Sequence, residues 1–158
     1  MRLRHASATD RVALAELPIG SDGELWLEEV GEIVSGLLDW RDRRPELDRH
    51  VLVLEDDHGA VVAVSAHEAE EDLDGRVFAR SRYLLVTAVH AERRRTGLAR
   101  VVVESVVADI QRNGGEAVSW LVHPGNQPSL AFAHSVFPNI EETYPPEDHP
   151  YARFVLIL

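Results

Sequence analysis

The stretch Tyr83-Leu84-Leu85-Val86-Thr87-Ala88-Val89-His90-Ala91-Glu92-Arg93-Arg94-Arg95-Thr96-Gly97-Leu98-Ala99 joins an apolar run to the start of an amphipathic segment. Tyr83 to Val89 is too continuously apolar for a strand with one face in water, which predicts a central strand covered on both faces. From Gly97 the period changes. Leu98, Val102, Val106 and Ile110 recur at helical spacing with Ala99, Val103 and Val107 beside them, and Asn113-Gly114-Gly115 supplies a stop. The junction places Gly97 and Ala99 in the first helical turn, where uncovered backbone N–H groups point outward and the helix dipole favours an anion. Three consecutive arginines, Arg93, Arg94 and Arg95, stand there in an otherwise acidic chain. The junction therefore reads as a phosphate-binding turn. The plainer alternatives are helix–strand packing for Gly97 and a solvated basic face for the arginines.

Outward from this junction the chain reads as alternating strands and helices. Arg2 to Ala6 is a short strand, and Thr9 or Asp10 caps a helix that Pro18 ends. Trp26, Val30, Ile33, Val34 and Leu37 recur at helical spacing between Glu24 and Trp40. His50 to Glu55 and Ala60 to Val64 flank Asp56-Asp57-His58-Gly59, which predicts a hairpin. Glu68 to Gly75 reads as an acidic loop. After the central helix, Ala117 to Val122 is a strand, Pro128 opens a short helix that Pro138 closes, Ile140 to Tyr144 is weakly strand-like, and Ala152 to Leu158 is a final strand.

At 158 residues with 45% apolar side chains the chain fits one domain, residues 1–158, with a core that buries most of its hydrophobic surface. It has no cysteine, which excludes disulfides, thiolate metal sites and a cysteine nucleophile. Its histidines show no paired ligand spacing, so no metal is expected. The formal charge of −11 argues against nucleic acid as a partner, and the acidic clusters would attract amines. No apolar stretch approaches the roughly 20 residues of a membrane helix. Met1-Arg2-Leu3-Arg4-His5 lacks the apolar block of a signal peptide, and the expected location is the cytoplasm.

The strand, then Arg94-x-x-Gly97-x-Ala99, then helix resembles the acyl-CoA pyrophosphate loop of the GNAT superfamily of N-acyltransferases, and the order β-α-α-β-β-β-α-β-α-β-β resembles that family over essentially the whole chain. The resemblance implies an α/β fold, with a mixed central sheet of about seven strands and about four helices packed on it. Two central parallel strands, Tyr83 to Val89 and Ala117 to Val122, would splay apart and admit the pantetheine arm of acetyl-CoA. It further implies that Val89 meets pantetheine through its backbone, while Arg94, Arg95, Thr96, Gly97, Leu98 and Ala99 wrap the pyrophosphate. Arg95 departs from the family, where glycine is frequent. Asn126 matches an asparagine that contacts the CoA arm in many relatives; it would equally serve as a turn or helix cap.

The reaction implied is acetyl transfer from acetyl-CoA to an amine, on a cationic small molecule or an exposed amino group, by direct attack on the thioester. An alkylamine with a lysine-like pKa gives up its proton at neutral pH at a cost of about 4–5 kcal/mol, so a base or water chain must help. Many relatives place an acid, a tyrosine, seven positions after the asparagine; here that position is Ala133. The neighbouring His134 is the candidate acid, with Tyr144 and Tyr151 as alternatives. Glu68 is the candidate base, beside His67, Glu70 and His123. The missing tyrosine motivates a second reading, a CoA-binding or interaction module without turnover. The final strand and the helix around Trp26 would support a homodimer.

Overall fold

The computed structural model describes residues 1–19, 25–70, 80–143 and 151–158. Among these residues seven strands form one sheet, β1 (Arg2–His5), β2 (His50–Glu55), β3 (Val61–Glu70), β4 (Ser81–Val89), β5 (Ala117–Val122), β6 (Glu141–Thr143) and β7 (Ala152–Ile157). They lie in the order β1-β2-β3-β4-β5-β7-β6. Among the described residues four α-helices cover it, α1 (Arg11–Ala15), α2 (Leu25–Arg43), α3 (Leu98–Arg112) and α4 (Gln127–Val136). Every strand pair is antiparallel except β4 with β5, which α3 connects.

Helix α3 buries Leu98, Val102, Val103, Val106, Val107 and Ile110 against Leu52, Leu54, Ala63, Leu84 and Val118 on one face of the sheet. On the other face Leu14, Leu17, Ile19, Val34, Leu37 and Leu38 pack on Val51, Val53, Val64, Ala66, Val86 and Ala88. The continuous apolar character of β4 follows from this sandwiching, since a strand between two helical layers has no wet face.

Three expectations are corrected by the structure. The strand expected to end at Val64 runs on as β3 to Glu70, so Glu68 and Glu70 are strand residues and not part of a loop. Their charges are tolerated because Arg49 and Arg153 lie against them. Helix α2 continues beyond Trp40 to Arg43, ending on basic residues that suit the negative end of the helix dipole. The terminal strand is not an edge available for pairing with a second copy: β7 lies between β5 and β6 and is bonded on both sides. Residues 71–75 of the expected acidic loop, Tyr144, and residues 145–150 lie outside the described residues. Among the described residues no helix is long and apolar enough to cross a membrane.

One irregularity positions the site. Ala66 of β3 faces Val86 of β4, but His67 faces Leu84, so Leu85 is an extra residue in β4. A β-bulge of this kind shifts the alternation by one residue and bends the strand. Accordingly Leu84 packs with the α3 layer, whereas Val86 and Ala88 pack with the α2 layer.

Candidate functional site

Strands β4 and β5 pair at Ser81 with Ala117, Arg82 with Val118 and Tyr83 with Ser119, and no further. Beside the Leu85 bulge they part. Leu84 to Val89 of β4 then faces a gap, while β5 keeps its pairing with β7 through Val122. Among the described residues, the facing edges beyond Tyr83 and Ser119 have no partner strand. A buried backbone polar group without a partner costs about 1–3 kcal/mol, so edges parted in this way are suited to a molecule with amide-like hydrogen-bonding groups.

At the open end of the gap the chain leaves Val89, passes a 3-10 turn at Ala91–Arg93, and enters α3 through Arg94 to Gly97. Gly97 caps the helix with φ +85°, a left-handed conformation that only glycine adopts without strain. A Cβ on Gly97 would meet nothing within 4 Å, so the space over the cap is open. Arg95 is also left-handed, with φ +63°. A glycine there would relieve a strain of about 1–2 kcal/mol, which gives the family's preference for glycine a physical reason. Among the described residues no backbone or side-chain acceptor takes the N–H groups of Thr96, Gly97, Leu98, Ala99 or Arg100; the first bond is Val101 N–H to Gly97 O. Five adjacent donors thus stand unpartnered at a helix N-terminus with open space over the cap, an arrangement suited to phosphate oxygens.

The three arginines of the turn do different things. Arg93 lies 3.8 Å from Asp56. Arg94 donates through Nη2 to the carbonyl of Ile19. Arg95 is exposed and forms no ion pair or side-chain hydrogen bond among the described residues, so its whole guanidinium is free for a ligand. Thr96 donates its hydroxyl to Arg93 O and holds the turn closed. Across the gap, Asn126 caps α4: its Oδ1 accepts from Ser129 N–H at 3.1 Å. Its amide Nδ2 has no partner among the described residues and remains available.

At the closed end of the gap, on the face opposite α3, a polar row crosses the sheet: Arg49 ahead of β2, Glu68 on β3, Tyr83 on β4 and Ser119 on β5. Glu68 stands opposite Tyr83, and Tyr83 opposite Ser119. Arg49 donates to Glu68 Oε2 from Nε at 2.9 Å and Nη2 at 2.6 Å, and its guanidinium lies 5.9 Å from the Trp40 ring centre. Glu70 accepts from Ser119 Oγ and, at 2.5 Å, from Arg153 Nη2. Burial, with the negative charge of Glu70 adding to it, pushes the Tyr83 phenol up to about 12, so it remains a neutral O–H donor at physiological pH.

Of the proposed proton-transfer residues, Glu68 lies in this row. His134 does not: on α4 it is half exposed, with Nε2 at 2.8 Å from Glu142 of β6, the edge strand two places beyond β5. His67 is buried on the α3 face with His50 stacked at 5.0 Å, and its Nδ1 accepts from Arg82 Nε at 3.0 Å. Burial is the main cause that lowers it to about 3, with Arg82 adding to it, so it is a neutral structural imidazole. His123 Nδ1 accepts from Gly125 N–H in the turn before α4. Tyr151 donates to Glu29 at 3.1 Å, across the α2 face. Sequence reasoning passed over Tyr83 as one more apolar strand residue, because only the three-residue pairing of β4 with β5 reveals that it stands where the strands divide. Among the described residues no group of acidic and histidine side chains could hold a metal ion.

Known structures share this architecture. The chain matches a GNAT-family protein from Desulfovibrio desulfuricans with a TM-score of 0.75 and 17% identity, covering 99% of this chain and 98% of that one. Ribosomal-protein-alanine N-acetyltransferase from Brucella melitensis matches with a TM-score of 0.73 and 20% identity over 100% of both chains. The PaiA N-acetyltransferase of Thermoplasma acidophilum, solved in complex with coenzyme A, matches with a TM-score of 0.70 and 15% identity, covering 99% and 98%. At these identities the likeness is one of fold. No curated protein sequence is similar enough to count as a match. A sequence profile described as the Acetyltransferase (GNAT) family, however, matches residues 12–137, a span that holds the divided strands, the left-handed Gly97 cap and Asn126 alike. The chain belongs to the GNAT acetyltransferase family.

Proposed function

We propose that the protein is an acyl-CoA-dependent N-acetyltransferase that moves acetyl from acetyl-CoA to a primary amine by direct attack. The observation that carries this reading is the pairing of an open gap between β4 and β5 with five unpartnered N–H donors at its mouth. The N–H groups of Thr96 to Arg100 bind the pyrophosphate, with Arg95 supplying charge. Val89 and the free edge of β4 pair with the pantetheine amides, and Asn126 offers its Nδ2 from the other side. The reacting carbon then lies toward the Tyr83–Ser119 rung. The amine lone pair attacks the thioester carbonyl, the C–S bond breaks, and the thiolate takes a proton while the nitrogen loses one.

In this reading Glu68 orients the incoming amine electrostatically. Its bond to Arg49 uses only Oε2, leaving Oε1 for an ammonium, but a carboxylate so paired is a poor proton acceptor, and water completes the transfer. His134, turned to Glu142, takes no part at the reacting atoms. Tyr83 offers its O–H to the departing sulfur. The acceptor is an amine on a small cationic molecule or an exposed chain end.

A second reading, a CoA-binding module without turnover, is favoured by one observation, Ala133 where many relatives carry the tyrosine. Thiol release from acetyl-CoA across a panel of polyamines, amino acids and peptide N-termini separates the two. Amine-dependent release supports the enzyme; thermal stabilisation by CoA with no release from any amine supports the module.

A further inference from the structure

The first half of β4, Ser81 to Leu85, has two registers open to it against β3, and its leucines do not choose between them. From Ala63 with Val89 to Ala66 with Val86 the pairing runs straight; continued without the bulge it would set His67 opposite Leu85, Glu68 opposite Leu84, Ala69 opposite Tyr83 and Glu70 opposite Arg82. The observed pairing is displaced by one residue, with His67 opposite Leu84, Glu68 opposite Tyr83 and Ala69 opposite Arg82. A shift of one residue exchanges the two faces of a strand. In the straight register Leu85 would take the place under α3 that Leu84 holds, and Leu84 the place beneath α2 that Leu85 holds, one leucine for another. The polar residues are not interchangeable. Tyr83 would turn to the α3 face, away from Glu68, and Arg82 would stand opposite Glu70, an opposite-charge pair that favours the straight register.

Arg82 opposes that pull. Its side chain is 13% exposed and makes three hydrogen bonds, from Nε to His67 Nδ1 at 3.0 Å, from Nη1 to Asp48 Oδ2 at 2.6 Å and from Nη2 to Asp48 O at 2.6 Å. His67 is the residue at which the register shifts, and Asp48 ends the short turn before β2, so one planar fork ties β4 to β3 and to the entry of β2. All three bonds need Arg82 on the α3 face, which only the displaced register gives it. The His67 ring, stacked on His50, makes one hydrogen bond, the one from Arg82, and its Nε2 is buried without a partner. We infer that Arg82 is a positioning residue whose clamp on His67 and Asp48 selects the displaced register, and so turns Tyr83 toward Glu68 at the rung where β4 and β5 divide. The role of Tyr83 here rests on the acyl-CoA reading above; the choice of register does not.

Cross-strand proton contacts in the isotope-labelled full chain, read in the wild type, Arg82→Met, His67→Leu and His67→Gln, test this. The wild type should show one set, with Glu68 opposite Tyr83. Arg82→Met and His67→Leu should add a second set, with Ala69 opposite Tyr83, and His67→Gln, which keeps an acceptor for Arg82 Nε, should return to one. The displaced register alone in whichever of Arg82→Met and His67→Leu folds overturns the inference, as does a second set equally strong in His67→Gln. Loss of the fold in both also overturns it, because the clamp would then hold the whole sheet and not its register. In thiol release from acetyl-CoA with the most active amine of the panel, Arg82→Met should lower kcat several-fold, and should lower it no further in a Tyr83→Phe background. Losses that multiply overturn the link to Tyr83. Undiminished release in Tyr83→Phe, or no release with any amine, instead overturns the acyl-transfer reading and leaves the register result standing.

Discussion

Replacing Gly97 by glutamate separates the phosphate turn from a merely structural helix start. The residue has φ +85°, so any side chain adds left-handed strain of about 1–2 kcal/mol, reduced by the smaller entropy of the unfolded chain. A net loss near 1 kcal/mol lowers the melting temperature of a chain this size by about 2–4 °C. No steric term adds to it, because a Cβ at this position meets nothing within 4 Å. The effect on binding is larger. A carboxylate projecting into that space comes within about 5 Å of a bound phosphate, and at an effective dielectric of about 20 the repulsion is about 3 kcal/mol, roughly 100-fold in affinity. Gly97→Gln has the same shape and strain without the charge. Calorimetric titration with coenzyme A should therefore find Gly97→Glu about 100-fold weaker than Gly97→Gln, with the two melting within about a degree of each other. Equal affinity in two folded variants would refute the placement of the pyrophosphate.

Other outcomes follow from particular residues. Arg95→Gly removes the φ +63° strain and should raise the melting temperature by about 2–4 °C while weakening coenzyme A binding and flattening its salt dependence. Tyr83→Phe should lower kcat about 10- to 100-fold with coenzyme A affinity unchanged, checked by thiol release and calorimetry side by side. His67 is lowered to about 3 in the folded protein, so between pH 6.5 and 3 the unfolded chain binds the extra proton; stability is full above pH 6.5 and falls as the pH drops. Urea midpoints at pH 7.5 and 5 should show this loss, and His67→Gln, which keeps an acceptor for Arg82, should reduce it. Asp10 is held near 2, chiefly by its hydrogen bonds from Arg4, so it contributes at most about 2 kcal/mol above pH 4 that disappears as the pH falls through 2. Asp10→Asn should therefore be destabilising at pH 7 and nearly neutral at pH 2.

What the sequence discloses and what it hides have physical causes. Helix α3 and its start are legible because a 3.6-residue apolar period, a glycine before it and Gly114-Gly115 after it are local signals, and the structure places Gly97 at the cap and ends the helix at Arg112. Strand β5 is readable at Ala117 to Val122 for the same reason, short and bounded by turn residues. The Leu85 bulge is invisible, since no glycine or proline marks it and Leu-Leu-Val reads alike with or without a register shift. The extension of β3 through Glu70 is hidden because the groups that make its carboxylates tolerable, Arg49, Ser119 and Arg153, are distant in sequence. The arginine triplet is conspicuous as composition, yet its division of labour is tertiary: Arg94 meets a carbonyl 75 residues away, Arg93 lies near Asp56, and Arg95 faces open solvent. The candidate acid is the least legible element, because the position that the resemblance points to holds Ala133, and the Tyr83–Ser119 rung at which the strands divide is defined only by tertiary pairing.

The central claim, that coenzyme A lies between β4 and β5 with its pyrophosphate on the α3 cap, is tested most directly by amide chemical shifts in a ¹⁵N-labelled protein titrated with coenzyme A. The account predicts saturable shifts concentrated at Thr96–Arg100 and along Leu84–Val89. Saturable binding that shifts other amides and leaves both segments in place would contradict it.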